Sequence, residues 1–254
     1  MKITFLGTGT SQGIPVIGCA CQVCQSPDPK DKRLRTAAMI SDGETNIVID
    51  VGPDFRQQML ANKVMDIDAV IITHEHNDHI IGLDDIRPFY FKKGDGIDYF
   101  TTQKVAEEII NRFPYVFKKK IYPGAPRIQI HKFNPGEAFT INGILVTPIE
   151  VWHGKMPVTA FRIKNILYIT DASFIPENAL EIMKGVDIMV INALRKEPHY
   201  SHFTLQEALE IIEIINPKKA YLTHLSHLMG KSCEIEKLLP QNVFLAYDGL
   251  KVEA

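Results

Sequence analysis

Ile71-Ile72-Thr73-His74-Glu75-His76-Asn77-Asp78-His79 decides how this chain is read. The apolar run Ala69-Val70-Ile71-Ile72-Thr73 has the pattern of a buried strand. It runs straight into four side chains able to hold a metal: His74, His76, Asp78 and His79. Neutral imidazole together with carboxylate suits Zn, Fe or Mn. One ion cannot take all four ligands from so short a segment and leave room for a substrate, whereas two adjacent ions can divide them. His74 and His76 project to one side of an extended chain, because side chains repeat with a period of two. Asp78 and His79 follow where the chain turns into a helix, and so face a second position. A histidine-rich surface loop would account for a lone His, but poorly for H-x-H-x-D-H at the end of a strand.

This motif resembles the signature of the metallo-β-lactamase superfamily, a set of mostly dinuclear hydrolases. The resemblance implies three further ligands downstream, a His, an Asp and a His, each at the end of a strand. The chain supplies them in that order. A strand over 145–151 ends in Val151-Trp152-His153-Gly154, one over 166–170 in Thr170-Asp171-Ala172-Ser173, and one over 220–223 in His224-Leu225-Ser226-His227. In sequences of true β-lactamase type a Cys stands where Asp171 stands; an Asp is more like the phosphodiesterase and glyoxalase branches. The resemblance assigns His74, His76 and His153 to one ion and Asp78, His79 and His224 to the other, with Asp171 bridging. Two cations roughly 3.5–4 Å apart can lower the pKa of a shared water and activate it for attack. Asp50, in Asp50-Val51-Gly52-Pro53-Asp54, reads by itself as a turn residue; the resemblance makes it a carboxylate that supports a metal-bound His by hydrogen bonding.

A second cluster lies near the start, in Gly18-Cys19-Ala20-Cys21-Gln22-Val23-Cys24. Three thiols this close suit tetrahedral Zn and leave one ligand to be found. Disulfide pairing would leave an odd thiol and strain so short a loop. The preceding Gly7-Thr8-Gly9-Thr10-Ser11-Gln12-Gly13 lacks the spacing of a dinucleotide fingerprint, and no Gly-Lys-Ser/Thr follows it. It reads as a tight loop that approaches the active site.

Five of the nine histidines are claimed by the metal pair, leaving His131, His199, His202 and His227. His131 lies within a strand and in no motif. Ser201-His202-Phe203-Thr204 resembles the short His-bearing motif of the transfer-RNA 3′-processing branch, where the His acts at the scissile phosphate. An imidazolium there can donate a proton to a leaving alkoxide; His199 is the rival for that role. A narrower resemblance is to the cyclic-phosphate phosphodiesterases of the carbon–phosphorus lyase pathway. It implies a separate zinc site of Cys19, Cys21, Cys24 and His227, with His202 as the catalytic His; Asp78, a metal ligand, is counted with it in the catalytic set. Cys233 is the rival fourth zinc ligand. The transfer-RNA branch lacks the cysteine loop and carries a long Gly/Pro-rich arm that has no counterpart here.

Composition narrows the partners. The chain has 254 residues, 45% of them hydrophobic, so a sizeable core can be buried. A formal charge of −2 gives no basic footprint for nucleic acid, and Lys118-Lys119-Lys120 reads as a solvated face. No apolar run reaches the roughly 18 residues of a membrane span, and Met1-Lys2-Ile3-Thr4-Phe5-Leu6-Gly7 reads as a strand, not a secretory leader. Four cysteines, three within six positions, make no disulfide framework and suit a reducing cytoplasm. A homodimer is compatible with this composition.

The remaining pattern gives strands over 3–6, 128–133, 138–141, 159–163 and 187–192, and a hairpin over 36–40 and 46–51. Helices are expected over 54–62, capped by Pro53-Asp54, and over 82–91, 103–112, 204–215 and 234–239. A hairpin-like strand pair is expected over 243–252, and a Pro- and Lys-bearing connection over 113–127. With no repeat or linker, residues 1–254 read as one α/β domain, a four-layer αββα sandwich of the metallo-β-lactamase type. The implied activity is hydrolysis of a small, cyclic ribosyl phosphodiester, with two catalytic Zn or Mn ions and one structural Zn. The competing readings are an RNA-processing endoribonuclease, a thioester or lactam hydrolase, and a metal-binding scaffold without turnover.

Overall fold

The computed structural model describes residues 1–118, 120 and 122–254; Lys119 of the lysine run lies outside them. Two seven-stranded sheets are formed among these residues. The first holds β1 (Lys2–Gly7), β2 (Ala37–Asp42), β3 (Thr45–Ile49), β4 (Ala69–Ile71), β5 (Ile97–Thr101) and β6 (Ile128–Lys132) side by side in chain order. The second holds β7 (Phe139–Ile141), β8 (Ile144–His153), β9 (Met156–Ile163), β10 (Ile166–Tyr168), β11 (Ile188–Asn192), β12 (Lys219–Thr223) and β13 (Val243–Leu245), also in chain order. The last strand, β14 (Lys251–Glu253), returns to the first sheet beside β1.

The central strands are apolar on both faces, which is the composition a sheet needs when it is covered twice. In β3, Ile47 and Ile49 point one way and Val48 the other. Ile47, Ile49, Ile3, Phe5 and Ile71 meet Val146, Phe161, Ile163, Tyr168 and Val190 of the opposite sheet in the central core. On the outside of the first sheet, Val48, Val70 and Tyr99 pack against helices α1 (Phe55–Ala61), α3 (Arg87–Lys93) and α4 (Gln103–Arg112) through Phe55, Phe89, Val105 and Ile109. On the outside of the second, Leu167, Met189, Ile191 and Leu222 pack against α5 (Glu177–Met183) and α6 (Leu205–Ile215). These are the four layers the sequence implied.

Several local expectations need correction. Asp54 makes no capping bond to α1; its carboxylate accepts instead from the Arg35 amide at 2.8 Å and the Arg35 guanidinium at 3.0 Å. The expected helix over 82–91 is two pieces, a 3₁₀ stretch over Ile81–Ile86 and then α3, where Pro88 sits in the first turn and restarts the helix; a separate short helix, α2 (Asn77–Ile80), precedes them. Residues 243–252 are not a hairpin. β13 runs parallel to β12, whereas β14 pairs antiparallel with β1, so the segment between them crosses from one sheet to the other. The crossing is pinned by Asp248, whose carboxylate accepts from Thr8 Oγ1 at 2.7 Å and from the Leu34 amide at 2.6 Å. β5 and α5 carry weak signals in the sequence. In β5 only alternate residues are buried, and a charged Asp98 interrupts the run.

β3 to β6 run parallel, and so do β10 to β13, so their carboxyl ends gather at one edge of the sandwich. Backbone bonds join the two sheets there: the Thr159 amide donates to Thr73 O at 3.0 Å, and the Leu225 amide to Thr8 O at 2.9 Å. Close backbone packing fixes the same edge. The Val51 amide donates to His79 O at 2.8 Å and the Gly82 amide to Val51 O at 2.9 Å. A Cβ on Gly52 would fall 2.0 Å from Asp78 O, so only glycine fits. Gly52→Ala is therefore expected to push the 78–82 turn away from β3. Overpacking of this kind costs about 1–3 kcal/mol, which lowers the melting temperature by roughly 2–12 °C in a chain of this size. Calorimetry checks this; an unchanged melting temperature would show that the turn yields freely.

Candidate metal centre

The site is built from strand ends. His74, His76, Asp78 and His79 follow β4, His153 is the last residue of β8, Asp171 follows β10, and His224 follows β12. Asp50, Asp171 and His224 all adopt left-handed backbone, with φ of 65°, 57° and 54°. This region is disfavoured for most side chains but is visited several-fold more often by Asn, Asp and His. The chain thus turns sharply at each strand end and aims the side chain back over the edge.

Buried hydrogen bonds set which nitrogen of each imidazole is free. Asp50, fully buried, accepts from the Thr73 amide at 2.9 Å, from Thr73 Oγ1 at 2.8 Å and from His79 Nδ1 at 2.7 Å. With its proton given to Asp50, Thr73 Oγ1 accepts from His74 Nδ1 at 3.0 Å. His153 Nδ1 donates to the Ser201 carbonyl at 2.6 Å. In His74, His79 and His153 the Nδ1 side is therefore committed, and a bare Nε2 lone pair faces the centre. Asn192 clamps the backbone beyond Asp171, accepting from the Ala172 amide at 2.8 Å and donating to Ala172 O at 2.9 Å.

These groups converge. His74 Nε2 and His76 Nδ1 lie 3.0 Å apart. Asp171 Oδ1 lies 3.0 Å from His224 Nε2, and Oδ2 lies 3.3 Å from His79 Nε2 and 3.6 Å from His74 Nε2. His79 Nε2 is also 3.3 Å from Asp78 Oδ2. Ligand atoms of Asp78, His79, Asp171 and His224 fall within 4.8 Å of one another, as do those of His74, His76 and Asp171, and those of His153, Asp171 and His202. Asp171 belongs to all three groups, with Oδ1 toward His224 and Oδ2 between His79 and His74. All seven residues expected from the sequence meet at one place.

The residues fit divalent metal. His79 Nε2 and both ring nitrogens of His224 are buried without a hydrogen-bond partner, and a cation would satisfy one nitrogen of each ring. Electrostatics agree. Burial pushes the Asp171 carboxyl up, but His224, His79 and His74 outweigh it and hold it well below its ordinary value. Burial lowers His79, yet Asp171, Asp50 and Asp78 raise it well above the usual imidazole range.

Cys19, Cys21, Cys24 and His227 form a separate cluster, with the three Sγ atoms 3.4, 3.4 and 3.7 Å from His227 Nδ1. One ring nitrogen cannot make hydrogen bonds to three sulfurs at once. A tetrahedral ion with Zn–S near 2.3 Å and Zn–N near 2.0–2.1 Å places these atoms about 3.5–3.6 Å apart, which matches. The Cys24 amide and His227 pull the Cys21 thiol down to about 6, within reach of the thiolate at neutral pH. Cys233 lies exposed in helix α7 (Ser232–Ile235) and outside this cluster.

His202 is 9% exposed, stacked on His224 with centroids 4.8 Å apart and 4.5 Å from the His153 ring. His199 sits farther out, 5.1 Å from His202, with Nδ1 near the Ser201 hydroxyl at 3.3 Å. Beside them opens a cleft of about 230 Å³, walled by Thr10, Ser11, Gln12, Arg195, His199 and Ser226. The Gly7–Gly13 loop does approach the site. His131 is remote from it and pairs with Asp98 at 2.7 Å. Thr73, the Ser201 carbonyl, Asn192 and Arg195 escaped the sequence reading. Each acts through position in the fold, and no motif spacing marks it.

The family model of the beta-lactamase superfamily domain matches residues 45–225. A protein of Porphyromonas gingivalis named octanoyltransferase is 37% identical over 253 residues, 99% of this chain; the chain spans about half, 51%, of that relative's length. The crystal structure of a diphosphatase from the PhnP family superposes with a TM-score of 0.93 at 37% identity, covering 100% of this chain and 97% of the other. Zn(2+)-bound PqqB from Methylobacterium extorquens superposes with a TM-score of 0.81 at 18% identity over the whole of both chains, which shows a shared fold.

Asp50→Asn isolates the role of the buried carboxylate. The amide nitrogen must replace either Oδ1, facing the Thr73 amide, or Oδ2, facing the Thr73 hydroxyl and His79 Nδ1–H, so at least one hydrogen bond becomes a clash of donors. Loss of such a partner costs metal affinity about 10–100-fold. Competition with a chromogenic chelator reads the affinity; an unchanged value would mean that Asp50 serves only the turn.

Proposed function

The chain belongs to the metallo-β-lactamase superfamily and is a metal-dependent hydrolase; from this we propose that it cleaves a small phosphodiester, in the first instance a cyclic ribosyl phosphate. The observation that carries the reading is His202, an imidazole with Nδ1 unpaired, lying against His153 and His224 at the floor of a small polar cleft. We assign His74, His76 and His153 to one divalent ion and Asp78, His79 and His224 to a second, with Asp171 bridging and Asp50 orienting His79. When bound, such a pair activates water and offsets charge on a transferring phosphoryl group. Zn and Mn both suit the donors. Cys19, Cys21, Cys24 and His227 are assigned a structural Zn, which would staple the first loop to the segment carrying His224.

Burial, with His224 beside it, pushes His202 down to about 2, so the ring is neutral at rest. A phosphate anion entering the cleft supplies the opposite charge that favours a proton on this ring. His202 is then placed to hand that proton to the departing alkoxide. Asp78 is assigned to the catalytic set as a charge held at the same edge. The cleft is small for a nucleic acid, and the charge of −2 offers no steering toward one. We place the protein in the cytoplasm, acting on a small molecule.

The name of the diphosphatase relative favours a second reading, cleavage of a P–O–P bond, which the same centre would serve. The octanoyltransferase name belongs to a protein about twice this length. An octanoyl chain needs an apolar groove, and among the described residues Leu194 is the one aliphatic side chain lining this cleft. The test is a turnover screen of Mn- and Zn-loaded protein on cyclic ribosyl phosphates, cyclic nucleotides, bis(p-nitrophenyl) phosphate and dinucleoside diphosphates. Hydrolysis of a thioester with none of these would overturn the proposal.

His202→Ala is expected to slow hydrolysis of an alkyl phosphodiester by about 10²–10⁴, and markedly less when the leaving group is a nitrophenolate that needs no proton. Equal losses on both would make His202 a phosphate-binding group, and loss confined to His199→Ala would transfer the role to His199.

His227→Ala should release one zinc per chain, while Cys233→Ser retains it. Mass spectrometry of metal content decides; retention in the first variant with loss in the second would reassign the fourth ligand.

A further inference from the structure

The cysteine loop offers chemistry beyond holding an ion. Cys21 and Cys24 stand in Cys21-Gln22-Val23-Cys24, a single turn closed by the Gln25 amide on Cys21 O at 3.0 Å. Residues three apart in such a turn are neighbours on one face. The Cys24 amide donates to Cys21 Sγ at 3.4 Å, and the Sγ atoms of Cys19, Cys21 and Cys24 lie within 4.8 Å of one another. Cys21 is half-buried and flanked by exposed Ala20 and Gln22, whereas Cys24 is buried. An open sulfur beside a sheltered one is the arrangement of an attacking and a resolving thiol. The thiolate, not the thiol, is both the zinc ligand and the nucleophile. Three thiolates and a neutral imidazole around Zn²⁺ carry a single net negative charge, which keeps the sulfurs electron-rich.

The loop has little else to hold it. Its apolar cluster is Ile14, Val23 and Cys24, with Val16, Cys19 and Cys21 packed against them, so half of the members are the ligands themselves. The same loop carries Thr10, Ser11 and Gln12 on the wall of the cleft, and His227 lies in that wall, three residues after His224. We propose that Cys21 and Cys24 are a site of reversible oxidation by hydroperoxides, and that their disulfide releases the structural zinc and lowers turnover. The Cys21 sulfur attacks the peroxide O–O bond, giving a sulfenic acid and expelling hydroxide. The Cys24 thiolate then attacks that sulfur, forming S–S and expelling a second hydroxide. The two sulfurs lose two electrons, the peroxide gains them, and with two protons from solvent it leaves as two waters. Two of the four ligands are then gone, and the first loop is no longer tied to the segment carrying His224. So short a loop strains the disulfide, which makes it easy to reduce. The inference rests on the zinc assignment above and is independent of the substrate.

The test adds hydrogen peroxide to the metal-loaded protein. Native mass spectrometry should show the loss of one zinc and of two hydrogens per chain, with the catalytic ions retained. Alkylation after oxidation should label Cys19 and Cys233, while Cys21 and Cys24 label only after dithiothreitol. Most of the turnover of bis(p-nitrophenyl) phosphate should be lost, and should return with dithiothreitol and Zn. Cys24→Ser should stop at the sulfenic acid, trapped at Cys21 by dimedone. Cys19→Ser keeps the pair and should form the disulfide even where its zinc is weakened, and Cys233→Ser should respond as wild type does. Four thiols still labelled after peroxide, a disulfide through Cys19 or Cys233, or zinc loss without any disulfide would overturn the proposal. A Cys21–Cys24 disulfide with zinc and turnover unchanged would overturn it as well. If the reduced protein holds no zinc at the cluster, the zinc assignment fails instead. If it does not turn over the ester, the phosphodiesterase reading fails, and the zinc and thiol readouts still decide the oxidation site.

Discussion

A single buried carboxylate holds the metal edge in register. Asp50 takes three hydrogen bonds, two from Thr73 and one from His79. Thr73 precedes the first ligand and His79 is the last of the motif, so both ends of the H-x-H-x-D-H segment are fixed to the end of β3. Through the Thr73 hydroxyl the same carboxylate sets the ring of His74. Without this anchor each imidazole could present either nitrogen, and convergence would depend on chance rotamers. The glycines nearby belong to the same constraint, because Gly52 lets the β3 tail run against the turn that carries Asp78.

The second sheet answers from the opposite side. His153, Asp171 and His224 reach the same point from β8, β10 and β12, and Asp171 is common to all three groups of converging ligands there. A cation held by both sets would tie one sheet to the other, so metal loading and sheet packing become one equilibrium. A second tie lies behind it. Arg33, fully buried, donates to Thr8 Oγ1, Ala246 O and Ser232 Oγ, while Asp31 accepts from Ser232. This network joins the first loop, α7 and the crossing that leads to β14, and it backs the cysteine cluster.

Much of this could be read from the chain. The ligands are visible because chemistry demands particular residue types at the ends of apolar runs, and both runs and ligands are local signals. His202 and the pairing of the cysteines with His227 came through a resemblance, since the partners lie over 200 residues apart. What escaped was relational. β5 is a strand because its neighbours supply hydrogen bonds, although Asp98 breaks its pattern. The segment 243–252 looked like two strands of one hairpin, but the open edges of β12 and β1 each claimed one of them. Thr73, Asn192 and Arg195 are ordinary residues by composition and gain meaning from what the fold sets beside them.

The left-handed backbone at Asp50, Asp171 and His224 restricts how this site can change over generations. Among the described residues, three of the seven non-glycine residues with left-handed φ are in the site. At such a position an ordinary L-residue costs roughly 1–2 kcal/mol before any function is lost. The side chains that tolerate it best, Asn, Asp and His, overlap with those that ligate hard and borderline cations. The set of residues the backbone accepts and the set the chemistry accepts are thus nearly the same. Drift at these strand ends is filtered first by conformation, and sequences that pass that filter already carry donors of a suitable kind.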